Sequence, residues 1–180
     1  SHSLGAWTLD ASNTFGSNRA DFNVSDTVNT SLGANSPREF DAGGTRYQQN
    51  LIGLTLTRPF DIGAGANLAV GVENRYESFE IVTGESASLV GAGAQGFPGF
   101  NPPRAVDESR DAWSAFVDLE LRPTASLTLG AAARWEDYSD FGSEVTGKLS
   151  AMFKPTSVVA FRATGSTGFR APSLQQQYFS

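Results

Sequence analysis

Charged side chains recur at alternate positions in short segments of this 180-residue chain. Glu73, Arg75 and Glu77 form one set and Asp118, Glu120 and Arg122 a second. Arg134 and Glu136 form a third, and Lys148 and Arg162 stand singly. Residues two apart in an extended strand project from the same side, so each set places carboxylates and guanidinium groups next to one another. A row of that kind can carry ion pairs, line a wet passage or contact a polar solute. Catalysis has less to work with. The only histidine is His2, so no serine–histidine pair can be assembled within the chain. Carboxylates such as Glu73 and Glu77 are common on polar strand faces, and nothing in the sequence marks a pocket around them. The expectation is a protein that is not an enzyme, with no catalytic residue.

Other patterns read as connections. Glu136, Asp137, Asp140 and Glu144 form an acidic run, but the Asp-x-Asp-x-Asp-Gly spacing of a calcium loop is absent. A solvated hairpin tip is expected there. The Gly-rich stretch from Leu89 to Gly96 lacks the Lys-Ser/Thr ending of a phosphate-binding loop and opens no helix, so it reads as a flexible loop. Cysteine is absent, which removes disulfides and thiolate metal sites. The net charge of −6 and pI near 4.7 argue against a nucleic-acid partner. Neither a metal nor a cofactor is expected.

The elements that carry these rows are strands. Seven segments alternate with period 2, near residues 4–15, 46–60, 67–80, 111–122, 126–137, 145–154 and 158–167. In the fourth, Trp113, Ala115, Val117, Leu119 and Leu121 oppose Ser114, Asp118, Glu120 and Arg122. In the fifth, Leu127, Leu129, Ala131, Ala133 and Trp135 oppose Thr128, Arg134 and Glu136. In the seventh, Val159, Phe161 and Ala163 oppose Arg162, Thr164 and Ser166. No stretch approaches the ~18 consecutive apolar residues of a transmembrane helix, but membrane barrels give a far weaker hydropathy signal.

Three observations favour a membrane sheet over a soluble sandwich. Long connections alternate with tight turns such as Asp61–Ala66 and Pro123–Ala125, as in outer-membrane barrels. Aromatic residues of the apolar face gather near strand ends: Phe15, Tyr76, Trp113 and Trp135 toward one rim, Trp7, Phe60, Phe153 and Phe161 toward the other. An aliphatic band between two aromatic girdles fits a lipid-facing surface. The segments also exceed the usual strand length of about 5–6 residues and approach the ~9–11 of a tilted spanning strand.

The seventh segment ends at Gly168-Phe169-Arg170-Ala171-Pro172-Ser173-Leu174, where a glycine and then a proline stop the ladder. This strand and motif resemble the barrel of TonB-dependent outer-membrane receptors. So do Asn29–Gly33 with Ser36-Pro37 and Phe40–Gly44, the run Val70–Glu77, and the run Ala133–Gly142 leading to Lys148. The resemblance covers nearly the whole chain and implies an antiparallel up-and-down sheet, about seven strands of a barrel of about 22 around a plugged lumen. Residues 1–180 would then be an internal part of that barrel domain, without the plug or the strands that close the barrel.

The resemblance further implies TonB-coupled uptake of a scarce solute across a bacterial outer membrane, such as a siderophore, vitamin or carbohydrate. Implied partners are the outer-membrane lipid, the receptor's own plug and, through the plug, the TonB complex. The sequence does not identify the solute. Glu73, Arg75, Glu77, Asp118, Glu120, Arg134, Glu136 and Arg162 become lumen-facing candidates. Phe15, Tyr76, Trp113, Trp135, Phe153 and Phe161 become a lipid-facing girdle, and Gly168, Phe169, Arg170, Ala171 and Pro172 the family motif. Arg170 is expected either to meet carboxylates inside the barrel or to be an ordinary rim arginine. The loops near 16–45 and 82–110 are expected to help select the solute. Asn23-Val24-Ser25 and Asn29-Thr30-Ser31 match the glycosylation pattern, which carries no meaning in such a membrane. A passive channel and a soluble β-sandwich binding module are the alternatives.

Overall fold

Alternating apolar and polar residues suit a pleated ladder, and here each strand pairs with its neighbours in sequence, which leaves β1 and β8 at the two edges. The computed structural model describes residues 1–179. Eight antiparallel strands form one open sheet in chain order. They are β1 His2–Leu4, β2 Trp7–Ser25, β3 Glu39–Phe60, β4 Ala66–Thr83, β5 Val106–Thr124, β6 Leu127–Tyr138, β7 Gly142–Phe153 and β8 Phe161–Ser166. Of two short helices, α1 Ser86–Leu89 lies between β4 and β5 and α2 Leu174–Tyr178 follows β8. No helix among the described residues is long and apolar enough to cross a membrane.

The registers fix the faces. Leu119, Ala131 and Leu149 are cross-strand partners in one row, and Ala115, Trp135 and Val145 in another. On the opposite face, Asp118, Ala132, Lys148 and Ser166 form a row, as do Phe116, Arg134 and Thr146. Trp135 and Glu136 therefore project to opposite sides, as the alternation requires.

Several boundaries differ from the sequence expectation. The first expected strand is two: β1 folds back on β2 through a hairpin at Gly5, whose φ of 64° suits glycine. β2 and β3 run well past their apolar stretches, because the ladder continues where polar residues such as Asn18 and Gln48 pair without needing an apolar face. β8 is shorter than 158–167. Its register begins with Phe153 opposite Phe161, which leaves Val159 in the connection rather than on the apolar face. The alternation of long and tight connections holds as far as β5. It lapses at the tight turn between β6 and β7, Ser139–Phe141, because β6 and β7 pair right up to Tyr138 opposite Gly142.

The chain divides into two compact units. One comprises residues 1–14, 50–76 and 111–171 and contains the two-faced rows just described, with β6, β7 and β8 entire and parts of β2 to β5. The other comprises residues 15–49, 77–110 and from 172 onward. Its core is Phe79, Ile81, Phe100 and Leu174, with Tyr47, Val106 and Tyr178 packed against it. Phe79 and Leu174 are almost wholly removed from solvent, and burial of a side chain of that size contributes about 1.5–3 kcal/mol. α2 delivers Leu174 to this core. A capping box holds its start: Ser173 Oγ accepts from Gln176 N–H, and Gln176 Oε1 accepts from Ser173 N–H.

Candidate functional site

The polar face of the first unit gathers its charges around Arg134 on β6. Its Nη2 donates to Glu73 Oε2 on β4 at 2.5 Å and to Ser114 Oγ on β5 at 2.8 Å. Its Nε donates to Glu136 Oε1 at 2.9 Å, and Tyr138 O–H donates to Glu136 Oε2 at 3.0 Å. One cation thus joins carboxylates on two strands across a third. The Phe116 ring lies 6.0 Å from the same guanidinium. Gly71 makes room for that ring, since a Cβ at residue 71 would come within 2.5 Å of Phe116 Cε1.

Beside this network lies an open groove of about 480 Å3. Its floor includes Ala132, flanked in the same row by Asp118 and Lys148. A small residue between two long charged ones leaves the gap, and Thr146, Ser166 and Thr167 add hydroxyls. The groove offers the carboxylates of Glu73 and Asp118, the Arg134 guanidinium, the Lys148 ammonium and several hydroxyls, which equips it to hold a polar surface. No group of three side chains suited to hold a metal ion comes together among the described residues.

The lumen candidates divide. Glu73, Arg134 and Glu136 meet directly. Arg75 lines the same small space between Glu73 and Glu136, with a buried Nε that has no hydrogen-bond partner. Glu77 belongs to the second unit, where Tyr47 O–H donates to it and Arg110 stands 3.8 Å away. Glu120 pairs with its neighbour Arg122, near the Pro123 turn. Arg162 faces Met152 across the β7–β8 ladder. The girdle candidates Phe15, Tyr76, Trp113, Trp135, Phe153 and Phe161 are between 42% and 65% exposed, a large apolar area uncovered by the chain itself.

In the motif, Phe169 meets Tyr138 edge-on at 6.1 Å, and Arg170 is exposed. The arginine that contacts the motif is instead Arg110. It is only 2% exposed, and its Nη1 donates to the Pro172 carbonyl at 3.0 Å. Sequence reasoning missed Arg110 and Phe116, and it placed Ser114 on the polar face and Asn29 in a family-like loop without their partners. An alternation pattern gives a side, not a distant partner, and Phe116 breaks the expected pattern by putting a ring on the polar face.

The second unit holds a separate pocket of about 440 Å3. Asn18, Phe22, Thr45, Tyr47, Gln175 and Phe179 line it, all aromatic or uncharged and polar. Phe22, Phe97, Phe100 and Phe179 form a chain of edge-to-face contacts with centroids 5.6–6.0 Å apart. Asn29, fully buried, ties the two long connections together. Its Nδ2 donates to the carbonyls of Ala87 and Val90, and its Oδ1 accepts from Ser31 N–H.

The model of the family described as TonB dependent receptor-like, beta-barrel, matches residues 2–180. No curated protein and no solved structure matches the chain.

Proposed function

This chain belongs to the TonB-dependent receptor β-barrel family, and from that premise we propose that it forms part of the wall, polar lining and outer loops of a receptor that imports a scarce solute with TonB-derived energy. The family resides in the outer membrane and acts in transport rather than catalysis. The observation that carries the proposal is the two-sidedness of the sheet. Exposed rings and aliphatic residues occupy one face, and the Glu73–Ser114–Arg134–Glu136 network occupies the other. Lipid covers the first face and the plug, with passing solute, meets the second. Unpaired edges at β1 and β8 join further strands of the barrel, since a membrane tolerates no open ladder.

The solute contacts belong to the long connections. The pocket lined by Phe22, Tyr47 and Phe179 carries ring faces and amide or hydroxyl groups without a formal charge, which suits a neutral solute with an apolar side. TonB reaches the receptor through its plug. The test is uptake from a panel of nutrients by cells producing the whole receptor, with and without TonB. Uptake lost without TonB supports the proposal. Uptake that persists unchanged makes the protein a passive channel.

A further inference from the structure

Arg58 sits where a charge is costly. Its neighbours along β3, Leu54 and Leu56, share its side of the strand. Gly53 is on the other side, because a Cβ there would meet Ser12 Oγ and Glu73 Cγ of the polar face. Arg58 therefore belongs to the apolar face, two residues before β3 ends at Phe60. Its guanidinium lies 4.7 Å from the Phe60 ring centroid and 5.5 Å from that of Trp7, the first residue of β2 beside the Gly5 turn.

Stacking fixes the guanidinium plane but uses none of its five N–H donors, which lie in that plane. Its Nε is buried and has no hydrogen-bond partner, and no ion pair engages Arg58 among the described residues. An oriented, unpaired cation on an apolar face, inside an aromatic belt and at a strand end, matches the depth of lipid headgroups. Phosphate suits it in charge and in hydrogen-bonding geometry.

We propose that Arg58, clamped by Trp7 and Phe60, holds the phosphate of a phospholipid headgroup at the short-turn rim. This rests on the reading of the apolar face as lipid-facing. Its test is native mass spectrometry of the whole receptor in detergent, titrated with phosphatidylglycerol, with diacylglycerol lacking the phosphate, and with soluble glycerol 3-phosphate as competitor. The expected result is retention of phosphatidylglycerol but not diacylglycerol, little competition from glycerol 3-phosphate, and about a fivefold loss of retained lipid in Arg58→Gln. Arg122→Gln, on the polar face at the same strand ends, should retain lipid as wild type does.

Equal retention of phosphatidylglycerol and diacylglycerol by the wild type overturns the proposal without need of any variant. Unchanged retention by folded Arg58→Gln also overturns it, and effective competition by glycerol 3-phosphate replaces the lipid with a soluble phosphate ligand. A bimane label on Leu54→Cys, read with brominated acyl chains, separates the two levels. Absence of quenching overturns the lipid-facing assignment itself, whereas quenching with lipid retention unchanged in Arg58→Gln overturns only the role of Arg58.

Discussion

Arg134 on β6 reaches past β5 to bond Glu73 on β4 at 2.5 Å, with Ser114 of the intervening strand hydrogen-bonded to both. Adjacent strands are already joined by their backbones. A side-chain bridge that skips a strand adds a constraint the ladder does not supply, and it holds the polar face in one arrangement.

A double-mutant cycle with Glu73→Gln and Arg134→Met in the whole receptor should therefore show coupling of about 1 kcal/mol, the upper range for a pair that water still reaches. The exposed pair Glu120 and Arg122, two residues apart on one strand, should show a value near zero. Urea-dependent folding into lipid vesicles measures both. Equal coupling energies contradict the structural role given to the strand-skipping bridge.

Leu129 and Thr128 are adjacent in β6 but project to opposite faces, with Ala151 and Met152 as their respective partners. Leu129→Arg should cost about 2–4 kcal/mol if the residue meets the lipid midplane. Thr128→Arg should be much milder, because the proposed assignment turns its side chain toward the wet lumen. Comparable losses in the same folding assay contradict the assignment of lipid and lumen faces.

Gly71→Ala should destabilise the barrel by about 1–3 kcal/mol, as overpacking does. The new methyl would collide with the Phe116 ring and lie 2.9 Å from the Leu54 carbonyl oxygen. In a Phe116→Ala background the penalty should shrink but not vanish, because the carbonyl remains. An unchanged penalty there shows that the ring is not the obstacle.

Leu174→Ala removes the residue that α2 buries against Phe79. A local loss of about 2–5 kcal/mol is expected, confined to the segment it anchors. Amide exchange across residues 172–178 should accelerate strongly while β6 and β7 keep their protection. Acceleration throughout the sheet would mean that the two units do not open separately.

The strands around residues 111–137 were legible because each face there has one character, so period 2 alone specifies which side each residue takes. Trp113, Val117, Asp118 and Glu136 all follow from it. The long strands β2 and β3 were only half legible, since beyond the apolar band both faces turn polar and the alternation fades, although the backbone pairing continues. The candidate site was legible as a side but not as a network. Nothing local in the sequence tells Arg134 that Glu73 lies within reach, or that Arg110 finds the Pro172 carbonyl. Those contacts depend on register, which is a property of pairs of strands. Asn29, whose match to the glycosylation pattern carries no meaning in such a membrane, is wholly enclosed, and nothing local in the sequence marks that burial.

That enclosed amide sets where the connections tolerate insertion. Because Asn29 holds the carbonyls of Ala87 and Val90, and Thr27 Oγ1 also donates to the Gln95 carbonyl, the two long connections share anchor points. Lengthening either one between its anchors and the strand leaves the other in place, but an insertion beside Asn29 or Ala87 displaces both. The two connections are thus mechanically coupled near their shared anchors and independent only away from them.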